Sequence, residues 1–232
     1  MATAVRSLAL VTGAASGIGL ELAKCCAEHG FDLVVAAEQP EIQLAAQTCR
    51  DLGAMVLAVQ TDLSTLEGVE RLWAELQGCG QPVEMVLAST GHGPAAGAFL
   101  DQEFNRVRHA IDTDLLGMLS LLHKTGGAMR ERGRGRILIA GSEVRDSQAT
   151  RAGAQAFLEI FAAVLRGELK ENGVRLLCLM PNEADPAKAA RQGFEAMMSD
   201  DEQTTDGNWQ DKLRAAFSRI TPPSEAEPRP SH

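Results

Sequence analysis

The stretch Leu8–Ala23, LALVTGAASGIGLELA, decides the fold of this chain. It begins with a short apolar run and ends with apolar residues at helical spacing, with three glycines between them. Gly13 permits a tight turn, Gly17 lets a ligand approach the backbone, and Gly19 lets a helix pack closely. The start of such a helix offers free N–H groups to a pyrophosphate. The stretch predicts a dinucleotide-binding strand–turn–helix unit, although a glycine-rich turn kept for packing alone remains the alternative.

Short apolar strands alternate with amphipathic helices along the rest of the chain. Further strands are predicted at 31–37, 54–62, 83–90, 135–142 and 174–181, and helices at 17–30, 40–53, 66–77, 101–131 and 149–172. Strands that are apolar throughout are typical of a parallel sheet covered on both faces. We therefore expect one α/β domain over residues 1–220, with a doubly wound parallel sheet. The Pro- and Glu-rich tail, 221–232, is expected to be disordered.

Composition and charge exclude several classes of partner. The 232 residues carry a net charge of −9, and an acidic chain repels both nucleic acids and anionic membranes. No apolar run reaches the roughly 20 residues of a membrane span. The five cysteines are odd in number and show no metal-ligand spacing, so we expect no metal site and a reducing, cytoplasmic location.

Several motifs resemble those of the short-chain dehydrogenase/reductase family. TGAASGIG at 12–19 is similar to its cofactor loop, and TDL at 61–63 to its Asp-Leu step beside the adenine ring. STGHG at 89–93 stands where the family has an Asn-Ala-Gly loop, and GRILIAGS at 135–142 resembles the strand that ends in its serine. The resemblance implies a Rossmann-type fold and an NAD(P)-dependent oxidoreductase. The cofactor-binding residues that it implies are Thr12, Gly13, Ser16, Gly17, Ile18, Gly19, Asp62, Leu63, Ser89 and Gly91.

An acidic residue after the second strand bears on cofactor choice. In such folds an acid at this place binds the adenosine ribose hydroxyls and repels a 2′-phosphate. Glu38 is the candidate, which favours NAD over NADP. Two alternatives stay open: Ala37 holds the key position, or Glu38 is an ordinary exposed loop residue.

The catalytic residues that the resemblance leads one to expect are replaced. The family uses a tyrosine as proton donor, a lysine beside it, a serine that bonds the substrate, and an asparagine on the long helix. Here Arg151 stands at the tyrosine position, Gln155 at the lysine position and Asp114 at the asparagine position, while Ser142 remains as a remnant. The sequence contains no tyrosine at all. The family's substrate-binding lid is also largely missing after Pro181.

These replacements predict a family member that has lost the ordinary hydride-transfer mechanism. Arginine stays protonated near neutral pH, so it cannot act as a tyrosine-like acid, and glutamine cannot supply the charge of lysine. The interpretation is a pseudoenzyme or partner subunit that binds NAD(P). The alternative is a divergent oxidoreductase, or a non-redox enzyme, that uses Ser142, Arg151 or His92.

Subunit pairing is a further expectation from the resemblance. Family members usually pair through two long central helices, which here correspond to regions near 101–131 and 149–172. The second region carries a broad apolar stripe, which core packing alone also explains in part. The stripe consists of Phe157, Leu158, Ile160, Phe161, Val164 and Leu165. We expect a homo-oligomer, or a hetero-oligomer with an active relative.

Overall fold

Strands and helices alternate along the chain in a computed structural model, which describes residues 6–90, 98–141, 149–180 and 185–199. The strands are β1 (Leu8–Thr12), β2 (Asp32–Ala37), β3 (Val56–Gln60), β4 (Val83–Ser89), β5 (Gly135–Ala140) and β6 (Val174–Leu179). The α-helices are α1 (Gly17–Glu28), α2 (Ile42–Asp51), α3 (Leu66–Gly78), α4 (Phe104–Ile111), α5 (Met118–Arg132), α6 (Ala149–Lys170) and α7 (Pro186–Met198). The predicted tail at 221–232 lies outside the described residues.

The six strands form one parallel sheet in the order β3-β2-β1-β4-β5-β6. This order reverses direction between β1 and β4, which is the topological switch point of a doubly wound fold. In such sheets ligands bind beyond the carboxyl ends of the strands at that point. The predicted fold class is therefore confirmed, and the topology indicates where a site is to be found.

Two separate cores cover the two faces of the sheet. One core packs α1, α2 and α7 against it, with Leu22, Ile42 and Phe194 fully buried. The other packs α3, α5 and α6 against the opposite face, with Leu72 and Leu121 fully buried. Burial on both faces explains why the inner strands β1, β2, β4 and β5 are mostly apolar rather than alternating, whereas the edge strand β3 is partly exposed.

The predicted helix at 101–131 differs from the observed structure. A single 3₁₀ turn spans Phe99–Asp101, and α4 begins only at Phe104. A wider π-helical turn at Asp112–Gly117 then joins α4 to α5. A Cβ on Gly117 would lie 2.9 Å from the carbonyl carbon of Leu63, so α5 begins in close contact with the segment after β3. This contact between distant segments could not be inferred from local periodicity.

No helix within the described residues has the length and apolar character needed to cross a membrane.

Candidate functional site

The loop after β1 has the backbone conformation that its glycines predict. Gly13 and Gly17 adopt left-handed φ values of 63° and 56°. At Gly17 a Cβ would meet nothing within 4 Å, so this backbone is open to a ligand. At Gly19 a Cβ would lie 2.7 Å from the carbonyl carbon of Gly13 and still closer to its oxygen. Gly17 therefore leaves room for a ligand to approach the backbone, whereas Gly19 allows α1 to pack closely against the loop.

The start of α1 is suited to a negatively charged group. Ser16 precedes the helix with an extended backbone, is exposed, and makes no side-chain capping hydrogen bond. The first turn of α1 contains no acidic side chain. The first N–H groups of a helix lack partners within the helix, and its dipole favours an anion there. Ile18, by contrast, is 7% exposed and belongs to the core rather than to the open face.

A cavity of about 260 Å³ opens at the carboxyl ends of β1, β2, β3 and β4. The predicted residues Thr12, Gly13, Glu38, Asp62, Leu63, Ser89 and Asp114 all line it. So do Ala37, Gln39, Thr61, His109, Ala110, Thr113, Met118 and Leu121. The cavity thus combines apolar walls with a few polar groups at the switch point of the sheet, as small-molecule sites usually do.

Two of the three acidic residues that line the cavity in the described part of the chain, Glu38 and Asp62, are held by their neighbours. Glu38 follows the last residue of β2, and its carbonyl accepts a hydrogen bond of 3.0 Å from the Gln60 side chain. The Asp62 carboxylate accepts a hydrogen bond of 2.8 Å from the Ser64 N–H. A Cβ on Gly68 would lie 2.7 Å from the Asp62 carbonyl carbon, so the first turn of α3 also fixes Asp62. Ala37, the other candidate for the position that contacts the ribose, also lines the cavity. The end of β2 therefore lies in the cavity whichever of Ala37 and Glu38 holds that position.

His109 joins these acids, although it was not predicted as a site residue. Its Nε2 lies 3.3 Å from Glu38 Oε2, across a separation of 71 residues in the chain. Side-chain atoms of Glu38, Asp62 and His109 lie within 4.8 Å of one another. The His109 and Glu38 side chains are 44% and 50% exposed, and all three residues line the cavity. Asp62 is, in addition, already engaged by Ser64.

The predicted catalytic positions lie along the continuation of the same edge. Arg151 and Gln155 are one helical turn apart at the start of α6, and both side chains are partly buried. A Cβ on Gly141 would lie 2.8 Å from Gln155 Nε2, so this side chain rests on the residue that follows β5. Gln155 therefore lies next in space to the chain segment that leads to Ser142. Ser142 itself, like Gly91 and His92, lies outside the described residues.

The connection from β6 to α7 is short. Only residues 180–185 join Leu179 to Pro186. The side chain of Asp185 begins α7 by accepting hydrogen bonds from the Ala187 and Lys188 N–H groups, at 3.0 and 3.3 Å. A connection of this length leaves little chain for a substrate-binding lid between these two elements.

Comparison with known proteins agrees with the fold and the glycine loop. The family model described as short chain dehydrogenase matches residues 7–197. An uncharacterized oxidoreductase of Myxococcus xanthus is 32% identical over 195 residues, which cover 80% of this chain and 75% of that protein. The 3-oxoacyl-acyl-carrier-protein reductase FabG of Aggregatibacter actinomycetemcomitans is 30% identical over 185 residues, covering 76% of this chain and 75% of that protein.

A solved structure shows the same architecture. The crystal structure of a metagenomic short-chain oxidoreductase in complex with NADP superimposes with a TM-score of 0.76 at 20% sequence identity. The match covers 85% of this chain and 93% of that one, and at this identity it concerns the fold alone. Together with the match to the family model over nearly the whole described chain, these findings confirm the resemblance drawn from the glycine loop. The chain belongs to the short-chain dehydrogenase/reductase family of oxidoreductases.

Proposed function

We propose that this chain is a degenerate family member that binds NAD(P) but does not carry out ordinary hydride transfer. One observation carries the proposal: the sequence contains no tyrosine. The family resemblance aligns Arg151 and Gln155 with the family's tyrosine and lysine. General acid–base catalysis needs a group that gives and takes a proton near the working pH. Arginine remains protonated and glutamine remains neutral there, so neither replaces the missing pair.

The geometry of the glycine loop and the cavity supports dinucleotide binding. The open backbone at Gly17 and the uncapped start of α1 fit a pyrophosphate. Beyond the strand ends, the cavity of about 260 Å³ offers carboxylates for ribose hydroxyls and apolar groups such as Leu63 and Ala110 for an adenine ring. When bound, the nicotinamide group supplies hydride chemistry, whereas the residues described here bind and orient the nucleotide.

The position of Glu38 favours NAD over NADP. A carboxylate accepts hydrogen bonds from both ribose hydroxyls, and it repels the 2′-phosphate of NADP. Glu38 lies at the cavity wall directly after β2, where such an acid acts. Asp62 adds a second negative charge within the same cavity.

We also propose that α6 takes part in pairing, either with a second copy of this chain or with an active relative. The Phe157 and Phe161 rings stack with centroids 5.9 Å apart. Phe157 and Val164 are 43% and 42% exposed, whereas Leu158 on the same helix is fully buried. The apolar stripe therefore serves the core on one side and extends onto the surface on the other. An inactive chain that pairs in this way acts as a scaffold or a regulator of its partner.

A divergent enzyme is the second candidate. Arg151 carries a positive charge to the end of the sheet at which Gln155 meets Gly141. Arginine binds carboxylates and phosphates with two parallel hydrogen bonds, so a substrate of that class fits its chemistry. Ser142 and His92 are the accompanying candidates from the sequence.

Because all five cysteines are free thiols, the protein is also proposed to act in the reducing environment of the cytoplasm.

Calorimetric titration of the purified chain with NAD and with NADP tests the binding proposal. We expect NAD to bind, and we expect Glu38→Gln to weaken NAD binding while Glu41→Gln leaves it unchanged. Glu41 is a matched control because it is exposed at the start of α2 and is not among the cavity residues. Failure of both dinucleotides to bind the wild type would remove the binding proposal.

A turnover assay at the nicotinamide absorbance band tests the loss of chemistry. Panels of ketones and alcohols, with each cofactor, are expected to give no change above a protein-free control. Sustained turnover that disappears in Arg151→Ala would instead establish the divergent enzyme. Sustained turnover that survives this change would equally contradict a degenerate function.

A further inference from the structure

The contact between His109 and Glu38 links α4 to the residue expected to choose between NAD and NADP. His109 Nε2 lies 3.3 Å from Glu38 Oε2, and both side chains line the cavity. A carboxylate only accepts hydrogen bonds, so the histidine must carry a proton on Nε2 to make this bond. With the ring neutral, Glu38 keeps its full negative charge. With the ring protonated, the two side chains form an ion pair.

We propose that His109 is a second specificity-determining residue for the dinucleotide and that its charge sets how strongly the cavity rejects a 2′-phosphate. This inference rests on the proposed binding of NAD(P) and names how the same site is regulated. Neutral His109 holds the Glu38 carboxylate at the cavity wall as the repelling group. Protonated His109 neutralises that carboxylate and places a cation beside it, so NADP gains affinity relative to NAD as the pH falls.

The charged surroundings of His109 make its state matter. The cavity holds three carboxylates, those of Glu38, Asp62 and Asp114, and His109 is the one group with a possible positive charge among the described lining residues. Glu38 and Asp62 also line a neighbouring pocket together with Glu67 and Arg71. Arg106, Arg108 and Asp112 flank His109 on its own helical segment, and Arg108 pairs with Asp112 at 3.9 Å. One proton on His109 therefore changes the balance of a predominantly negative site.

The size of the effect follows from the charge added. One unit charge about 6 Å from a phosphate changes its binding roughly threefold in a water-like dielectric and about tenfold in a dielectric half as large. Histidine is the side chain whose charge ordinarily changes between about pH 5 and pH 8. We therefore expect the NADP-to-NAD affinity ratio to be about threefold to tenfold higher with His109 protonated than with His109 neutral.

The experiment is calorimetric titration of the full chain with NAD and with NADP across this pH range, in the wild type, His109→Gln and His123→Gln. Glutamine keeps a donor for Glu38 but does not titrate. His123 is a matched control because it is exposed on α5 and is not among the cavity residues. The 2′-phosphate of NADP is a monoester and itself changes charge at about pH 6. The pH dependence of NADP binding by His109→Gln therefore measures this background contribution of the phosphate.

The outcomes separate this inference from the proposed function. We expect the pH-dependent rise in wild type and His123→Gln to exceed that of His109→Gln by about threefold or more. An equal rise in all three proteins overturns the role of His109 and leaves dinucleotide binding intact. Absence of binding by the wild type to either dinucleotide overturns both. Glu38→Gln supplies a second variant, in which the excess rise is expected to shrink because the carboxylate is gone.

Discussion

Replacing Gly19 by alanine tests whether close contact between α1 and the glycine loop maintains the fold. A Cβ at this position would lie 2.7 Å from the Gly13 carbonyl carbon, with the carbonyl oxygen closer still. Ordinary carbon–carbon contacts are about 3.5–4.0 Å, so the helix and the loop must separate by roughly 1 Å. Both obstructing atoms belong to the backbone and cannot rotate away.

The expected cost of Gly19→Ala is at the upper end of that for overpacked sites, about 3 kcal/mol in the free energy of unfolding. For a domain of this size each kcal/mol lowers the melting temperature by about 2–4 °C, so a decrease of roughly 6–12 °C is expected. The same displacement also moves the open backbone at Gly17, the first residue of α1. NAD binding is therefore expected to weaken along with stability.

Two other glycines provide controls in the same unfolding experiment, followed by circular dichroism against temperature and urea. Gly127 lies within α5 and a Cβ there meets nothing within 4 Å, so Gly127→Ala is expected to stabilise by about 0.5–1 kcal/mol. Gly17 also has free space but a φ of +56°, so Gly17→Ala is expected to cost about 1–2 kcal/mol through backbone strain alone. If Gly19→Ala proves as stable as Gly127→Ala, the packing argument is wrong.

Three further predictions concern the end of α7, the thiols and the surface of α6. Asp185→Ala removes the side chain that caps α7 and should lower the free energy of unfolding by about 0.5–2 kcal/mol. Asp185→Ser should retain most of this stability, because serine also caps helices. Equal losses of stability in the two variants, measured by urea titration, would contradict the capping role. Burial raises the pKa of the Cys26 thiol and raises the pKa of the Cys49 thiol to about 11. Both thiols therefore carry little thiolate at about pH 8, and a disulfide reagent should label them only after unfolding. Rapid labelling of the folded chain would refute this. If the chain pairs with itself as proposed, Phe157→Asp should dissociate the pair in light scattering, whereas Met55→Asp, at a residue 72% exposed before β3, should not. A monomeric wild type, or an oligomer unaffected by Phe157→Asp, would exclude self-association through this surface.

The sheet could be predicted from the sequence because its strands are buried on both faces. Runs such as Leu33–Ala37 and Ile137–Ala140 are apolar throughout, and this pattern does not depend on knowing their partners. The boundaries were less accurate where packing decides them. The helix predicted at 101–131 contains a π-helical turn, and Gly117 at the end of this turn packs against the Leu63 carbonyl, a contact between segments far apart in the chain.

The candidate site could be predicted where its residues follow strands. Glu38 comes directly after β2, Asp62 lies two residues beyond β3, and Ser89 ends β4. Parallel strands bring these ends to one edge. His109 could not be found in the same way, because it lies within a helix and meets Glu38 only through the tertiary fold. No local pattern distinguishes it from an exposed helical histidine.

The arrangement of α6 has an evolutionary consequence. Its deeply buried positions, Ala154, Leu158 and Ala162, follow one another by a turn each and belong to the packing of the sheet. Arg151 and Gln155 belong to a neighbouring, partly exposed row of the same helix. Changes in the row of Arg151 and Gln155 are therefore expected not to weaken the row that holds the domain together. A lineage that loses its reaction in this way retains an intact scaffold, which selection can then recruit for recognition.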